Sequence, residues 1–140
     1  MKISHHPDNL ILIDLIEIPL GTFYFYDRII IAELRRGVHL TFEEAQPIVA
    51  KALELYENKG FGYISNRLHP YSVVPTDYFK LSKLDSIKAF AVVSYSILNR
   101  ENAELEKLFF DKAFSIFSDL NEAVAWMKDI ICVTKPMKKN

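Results

Sequence analysis

The chain has 140 residues, of which half are hydrophobic and a quarter are charged, and its formal net charge is −1 at pH 7. A chain of this length is most simply one domain over residues 1–140, with a core large enough to fold without disulfides. The near-neutral charge provides no basic surface for nucleic acid, so no nucleic-acid partner is expected. No run reaches the ~18 apolar residues that a membrane helix needs, and no secretion signal is visible, so we expect a cytoplasmic protein without membrane insertion.

The N-terminal region begins with polar residues 1–9, predicted as a flexible end like residues 133–140 with their basic tail. Residues 10–18 are rich in Leu and Ile and end at Pro19, which indicates an extended segment. A short helix over residues 8–16 stays open as an alternative, because periodicity does not decide for so short a run.

Aromatic and β-branched residues at Thr22–Tyr26 and Ile29–Leu34 predict a hairpin. The residues between the two strands, Asp27 and Arg28, lack the Gly or Asn that a tight two-residue turn favours. A longer connection is therefore expected.

A long helix is predicted next, because Thr41 and Glu44 have the spacing of a capping box and apolar residues recur at helical spacing up to Tyr56. Pro47 lies inside this pattern and removes a backbone donor, so we expect either a bend near Glu43 or a later start. Gly60 is predicted to end the helix in a left-handed conformation.

Helices and strands alternate after this point. Buried or apolar runs predict a short central strand within residues 60–67, a helix over 75–84 and a strand over 87–94. They also predict a helix over 100–110 capped by Asn99 or Ser96, a strand over 114–117 and a last helix from 120. The apolar face of the third helix is predicted to carry Ala103, Leu105, Leu108 and Phe109, and that of the last helix Leu120, Ala123, Val124, Met127 and Ile131. The fold class is therefore α/β: a mixed sheet of about four to six strands, with an N-terminal hairpin and then parallel strands, covered by about four helices. Ile64, Val92, Ala123 and Met127 should lie in its core.

Motifs for common chemistry are absent from the sequence. The four glycines are scattered, so no phosphate-binding loop can be written, and no nucleophile elbow appears. The four histidines, His5, His6, His39 and His69, show no metal-ligand spacing, and Glu43-Glu44 and Glu104-Glu106 fall on faces predicted to be exposed. Cys132 has no accompanying His or Asn pattern and is predicted to be structural. We therefore expect no enzyme activity, no cofactor and no metal.

A polar cluster follows the central strand, and ligands of open α/β sheets bind at the carboxyl ends of such strands. It comprises Ser65, Asn66, Arg67, His69, Tyr71, Ser72, Thr76 and Asp77. These residues either satisfy loop backbone groups and favour a helix start, or form an anion or partner site at the helix amino end. The candidate binding residues are Asn66, Arg67, Tyr71, Ser72 and Thr76.

The order of elements, together with Gly62–Arg67, Tyr71–Pro75, Glu106–Phe110 and the terminal Phe117–Trp126 segment, resembles the SpoIIAA-like division of the STAS (sulfate transporter and anti-sigma factor antagonist) superfamily. The likeness covers roughly residues 20–132 and is to uncharacterised bacterial members. It implies a mixed sheet covered by helices and a non-catalytic role in protein–protein regulation or small-ligand binding. In the antagonist branch a serine at the second helix is phosphorylated within an Asp-Ser-Ser-Gly-like turn. This chain lacks that turn, and only Ser72 and Thr76 stand at the matching place.

Two main hypotheses follow. The first is a non-enzymatic cytoplasmic regulatory module that binds a protein partner through the loop after the central strand, with a homodimer also compatible. The second is a domain for a small apolar ligand or lipid, which a preformed apolar cavity of several hundred Å³ would favour. An enzyme is a third, weaker hypothesis.

Overall fold

The computed structural model describes residues 2–133, without the side chains of residues 132 and 133. Its strands are β1 (Asp14–Ile18), β2 (Gly21–Tyr26), β3 (Ile29–Leu34), β4 (His39–Leu40), β5 (Phe61–Arg67), β6 (Ser72–Val73), β7 (Ile87–Ser94) and β8 (Ala113–Phe117). Its helices are α1 (Gln46–Leu55), α2 (Asp77–Ser82), α3 (Ile97–Lys107) and α4 (Leu120–Val133). Within residues 2–133, no helix combines the length and apolar character that crossing a membrane requires.

Six strands form one mixed sheet in the order β1-β2-β3-β5-β7-β8. The first three are antiparallel, and β3, β5, β7 and β8 are parallel neighbours. The predicted fold class is confirmed, as is the parallel pairing of the strands that contain Ile64 and Val92, since Ser65 is in register with Val92. The short strands β4 and β6, which the sequence did not indicate, pair in parallel beside the main sheet.

The sheet is covered on both faces. Ile48 and Ala52 of α1, Tyr78 of α2 and Ala103 of α3 pack on one face, and we call this the three-helix face. The buried residues of α4 pack on the other, the α4 face, together with Leu10. The predicted core residues are fully buried at 0% exposure: Ile64, Val92, Ala123 and Met127. The apolar face predicted for the last helix is buried as expected.

Close packing of α4 on β5 depends on Gly62. A Cβ atom at this position would lie 2.0 Å from Sδ of Met127, far inside van der Waals contact. The absence of a side chain on β5 is therefore what lets the Met127 side chain lie directly on the strand.

The N-terminal region differs from its prediction. The extended segment is strand only over Asp14–Ile18, and the alternative helix over residues 8–16 does not form. Residues 1–9 are not a free end where the structure describes them, because His6 is buried and hydrogen-bonded to the sheet. At the other end, α4 is described as far as Val133, and residues 134–140 and the Cys132 side chain lie outside the described part.

The hairpin turn is shorter than expected. Tyr26 pairs with Ile29, so Asp27 and Arg28 alone connect β2 to β3. Arg28 takes the left-handed conformation with φ of 61°. Its Nε donates a hydrogen bond to the carbonyl oxygen of Gly60 at 2.5 Å, which ties the turn to the neighbouring strand.

Helix α1 begins late, as one of the two alternatives for Pro47 predicted. The proline occupies the first turn, where its missing N–H costs no hydrogen bond. The Glu44 backbone N–H donates to Oγ1 of Thr41 at 3.2 Å, but this turn precedes the helix instead of opening it. The role predicted for Gly60 is wrong, because Glu57 and Asn58 take the left-handed conformations that end the helix.

The prediction for helix α3 differs most from the structure, both in where the helix begins and in which face is buried. It starts at Ile97, three residues earlier than expected, with the Ser96 hydroxyl accepting from the Asn99 N–H at 3.1 Å. Ala103 and Glu106 face the sheet, whereas Leu105 and Leu108 are exposed, so the predicted apolar face is wrong for both leucines. The prediction that Glu106 is exposed is wrong as well. A buried arginine on β5 is its partner, and hydrophobicity alone does not indicate that pairing.

Candidate functional site

Asn66 and Arg67 end the central strand β5, and the structure separates them. Successive strand residues point to opposite faces of a sheet. Asn66 therefore lies on the α4 face and Arg67 on the three-helix face, with exposed fractions of 1% and 4%. Each belongs to a different polar cluster at the carboxyl edge of the sheet.

The Arg67 cluster consists of Arg67, Glu106, Tyr78, Ser65 and Tyr71. The guanidinium donates to both carboxylate oxygens of Glu106, with N–O distances of 3.0 and 2.6 Å. Its Nε donates to Oγ of Ser65 at 3.1 Å, and the Tyr78 hydroxyl donates to Glu106 at 2.7 Å. Tyr71 contacts the Ser65 hydroxyl and places its ring 5.1 Å below the guanidinium carbon.

Electrostatics keep this cluster in one charge state. Burial opposes the charge of Arg67, but the contacts with Tyr71 and Glu106 outweigh it, so the pKa of Arg67 is raised. Burial also raises the pKa of Tyr78 well above its ordinary value, with Glu106 adding to the effect and Arg67 opposing it. Arg67 is therefore charged and Tyr78 is a neutral phenol at any physiological pH. Such a closed set of partners positions α2 and α3 against β5.

The Glu33 cluster consists of Glu33, His5, His6, Asn66 and Tyr95, with Tyr26 behind it. Nε2 of His5 lies 2.9 and 2.8 Å from the two Glu33 oxygens, and Nε2 of His6 lies 2.8 Å from Oε2. The Asn66 amide donates to the same Oε2 at 2.8 Å and accepts from the Tyr95 hydroxyl at 2.7 Å. Nδ1 of His6 contacts the Tyr26 hydroxyl.

Glu33 carries the negative charge of this cluster. Burial acts to raise the pKa of Glu33, but hydrogen bonds from His6, His5 and Asn66 outweigh it, so the pKa lies below its ordinary value. Burial and the Glu33 charge raise the pKa of Tyr26 to about 12. Within the described part of the chain, the only ion-pair partners of Glu33 are the two histidines.

A polar groove of about 450 Å³ opens beside the Glu33 cluster. Its lining comes from the N-terminal segment, from Tyr95 and from the amino end of α4, and includes Ser4, His5, His6, Ser118 and Asp119. The position agrees with the general rule that ligands bind outside the carboxyl ends of parallel strands.

The five candidate binding residues do not come together in one exposed site at the amino end of α2. Asn66 and Arg67 are buried on opposite faces of the sheet, and Tyr71 packs on Arg67. Ser72 is exposed in β6, with Oγ 2.7 Å from Nδ1 of His39. Thr76 is exposed at the start of α2 and makes no side-chain capping bond. The two hydroxyls are open to modification, so phosphorylation of Ser72 or Thr76 stays a prediction.

The other polar residues of the predicted cluster also have separate roles. Asp77 accepts a hydrogen bond from the Phe42 N–H at 2.8 Å and so joins α2 to the turn before α1. His69 is exposed. Helix α2 has only 6 residues, too few to offer the aligned amides that an anion site requires.

Sequence reasoning missed Glu33, His5, His6 and Glu106. One feature of the sequence indicated that Glu33 needs a partner: it is the only charged residue in the otherwise apolar strand Ile29–Leu34. A carboxylate within a strand that is buried on both faces needs a partner. No feature of the sequence indicated the histidines, because His5 and His6 lie 28 and 27 residues before Glu33 and no spacing rule connects them to it.

An apolar cavity of about 80 Å³ lies between the three-helix face of the sheet and helices α1 and α2. Phe23, Phe61, Tyr63, Tyr71, Ile48 and Leu81 are among its lining residues. It is far smaller than the several hundred Å³ that would favour a lipid ligand.

Comparison with known proteins gives a likeness of fold. No family model matches the chain, and no curated protein matches it. A solved structure of an uncharacterised DUF3478-family protein from Shewanella loihica PV-4, described as having a SpoIIAA-like fold, is similar with a TM-score of 0.49 and 15% sequence identity. The similarity covers 90% of this chain and 99% of that one. No residue role is transferred from this similarity.

Proposed function

We propose that this chain is a non-enzymatic protein-interaction module, and that a second copy of the chain docks on the outward face of α3. The observation that carries the proposal is the exposure of four large aliphatic side chains on one helix. Ile97, Leu98, Leu105 and Leu108 are 80%, 65%, 63% and 74% exposed. An apolar surface of this kind on a folded domain usually marks an interaction site.

The four side chains lie on one face of the helix. At about 100° per residue, Ile97, Leu98, Leu105 and Leu108 fall within an arc of about 100°, and the exposed Glu101 falls within the same arc. Ala103 and Glu106 lie on the opposite side and are buried against the sheet. Leu68 and Tyr95 are exposed as well, and they directly follow the paired strand ends Arg67 and Ser94.

The charges on α3 favour a second copy as the occupant. The apolar strip is centred on residue 102. Arg100 lies two residues before this centre, and Glu104 lies two residues after it. When two α3 helices pack antiparallel about a two-fold axis, Arg100 of one copy therefore lies beside Glu104 of the other, twice over. In a two-fold interface each contact between residues occurs twice in this way.

The test is the mass of the protein in solution. Sedimentation equilibrium should give a dimer for the wild type and a monomer for Leu105→Glu, because a buried carboxylate would oppose the apolar contact. Ile13→Glu is the matched control, since Ile13 is 51% exposed far from α3, and it should remain a dimer.

Charge exchange tests the antiparallel arrangement. Arg100→Glu and Glu104→Arg should each weaken the dimer, and the double variant should restore it. A wild-type monomer at high concentration would contradict the proposal, and so would dissociation by Ile13→Glu alone.

A small apolar ligand is the second candidate, supported by the cavity at α1 and α2. Tyr63 adds a phenol to the mostly apolar lining of this cavity, as one polar anchor in a ligand site does. The volume of about 80 Å³ admits only a small molecule. Native mass spectrometry of protein purified from its own host should show added mass in the wild type that is reduced in Tyr63→Phe.

A further inference from the structure

The most unusual set of side chains on the α4 face is the group formed by His5, His6 and Glu33. Each residue offers one atom suited to a metal ion, and these three atoms all lie within 4.8 Å of one another. His5 and His6 come from the N-terminal segment and Glu33 from β3, so the fold itself assembles the group. It lies next to the polar groove and apart from the apolar strip on α3.

The distances are close to those of a coordination site. Ligand atoms around a tetrahedral zinc ion lie about 3.4 Å from one another, given Zn–N and Zn–O distances near 2.1 Å. The histidine nitrogens lie 2.8 Å from Oε2 of Glu33. These two nitrogen–oxygen distances need to open by about half an ångström for bonds to an ion to replace the hydrogen bonds, and the two histidine nitrogens already lie within 4.8 Å of each other.

The charge of the group also favours a cation. When both imidazoles are neutral, the Glu33 carboxylate is paired with no formal positive charge among the described residues. A divalent ion provides that charge at a side chain that is only 9% exposed. The ring nitrogens then act as acceptors toward the ion instead of donors toward the carboxylate.

Outer contacts hold two of the three side chains in place. The Asn66 amide donates to Oε2 of Glu33 at 2.8 Å and fixes the carboxylate. The Tyr26 hydroxyl contacts Nδ1 of His6 and leaves Nε2 directed at Glu33. Metal-binding histidines and carboxylates usually have such partners, which orient them before the ion arrives.

We propose that His5, His6 and Glu33 bind one divalent transition-metal ion of the zinc class, with the remaining coordination position open to the polar groove. Two imidazoles and one carboxylate suit zinc, cobalt or nickel better than magnesium or calcium, which take mainly oxygen ligands. His5 and His6 both line the groove, so a water or a ligand oxygen reaches the ion from that side. The ion joins the N-terminal segment to the sheet.

Titration of untagged, full-length protein tests the proposal after treatment with a chelator. Calorimetry with Zn²⁺ should give one ion per chain, Co²⁺ should give the visible absorption of a tetrahedral site, and Mg²⁺ should not bind. His5→Ala is the main variant, because the His5 side chain is 46% exposed and its loss should not affect folding. His5→Ala and Glu33→Gln should each weaken Zn²⁺ binding about tenfold or more.

His69→Ala is the matched control, since His69 is exposed and belongs to neither the Arg67 cluster nor the Glu33 cluster. This variant should bind Zn²⁺ as the wild type does. X-ray absorption at the zinc edge of the wild type provides a readout that needs no variant, and it should show only nitrogen and oxygen ligands. A sulfur ligand, which Cys132 would supply, would overturn the proposal. Absence of binding, or full binding in folded His5→Ala, would overturn it as well.

Discussion

The Arg67 cluster and the Glu33 cluster lie one residue apart on β5, yet they differ in how their charge is balanced. In the Arg67 cluster a carboxylate meets a guanidinium through two hydrogen bonds, and both side chains are almost fully buried. In the Glu33 cluster the carboxylate meets two imidazoles and an amide beside an open polar groove. The closed cluster is suited to hold helices in place, and the open one to exchange a partner.

Breaking the closed cluster should have the largest effect. Glu106→Gln leaves the Arg67 charge buried without a counter-charge, and we expect the free energy of unfolding to fall by ~3–5 kcal/mol in chemical denaturation. Glu54→Gln, at an exposed position of α1, is the control and should change it by less than about 0.5 kcal/mol. The double variant Arg67→Met, Glu106→Leu should recover most of the loss, because no buried charge then remains unpaired. Equal losses for the two single glutamate variants would disprove the distinction.

Glu33→Gln should cost less, about 1–3 kcal/mol in the metal-free protein. The glutamine oxygen still accepts one or two hydrogen bonds, and water from the groove reaches the donor that is left over. Denaturation of Glu33→Gln and Glu106→Gln under the same conditions measures the difference. A loss for Glu33→Gln as large as that for Glu106→Gln would show that the Glu33 cluster is equally closed.

Thr76→Asp extends the comparison to a polar residue outside both clusters. Thr76 is exposed at the start of α2 and makes no capping bond, and a carboxylate there meets the positive end of the helix. We expect a small gain in stability, at most ~1 kcal/mol because α2 is short, seen as a slightly higher melting temperature. Thr76→Ala is the control, and a clear loss in Thr76→Asp would mean that the hydroxyl has a packing role.

The exposed pair of Asp14 and Lys51, with 2.8 Å between carboxylate and amine, should have the smallest effect. The hydrogen bond from Lys51 lowers the pKa of Asp14 below its ordinary 3.8. The stabilisation is therefore present above pH 3.8 and is lost as the pH falls through the lower folded-state pKa. Asp14→Asn should melt slightly below the wild type at neutral pH and together with it in strong acid. A difference that grows in acid would contradict this assignment.

The regular elements were predictable where burial sets the pattern. The hairpin strands and β7 are largely apolar, β5 is apolar as far as Ile64, and α4 repeats its apolar residues at helical spacing, so their positions followed from the sequence. Helix α3 was misassigned because its four large aliphatic residues face solvent while Glu106 faces the core. A pattern of hydrophobicity cannot separate the buried face of a helix from its exposed face when the exposed face is the more apolar of the two.

The polar sites were predictable only in part. The carboxyl end of β5 was chosen from topology, and both clusters do begin there. The alternation of side chains along a strand already implies that Asn66 and Arg67 diverge, so their separation could have been foreseen. The partners of these two residues could not have been foreseen, because Glu106 is 39 residues from Arg67 and Glu33 is 33 residues from Asn66. Contacts over such distances depend on tertiary packing and have no local signal.

A side chain at position 62 would occupy the space that the Met127 side chain fills, so the two positions cannot change independently. Alanine at position 62 would place its Cβ 2.0 Å from Sδ of Met127, which is fully buried and has no free space into which to turn. A shorter residue at position 127 would instead leave a void beside the bare strand. Each change alone is unfavourable, whereas both together exchange one side chain's volume for the other's. The two positions should therefore vary as a pair among related chains, with a small residue at one wherever the other is large.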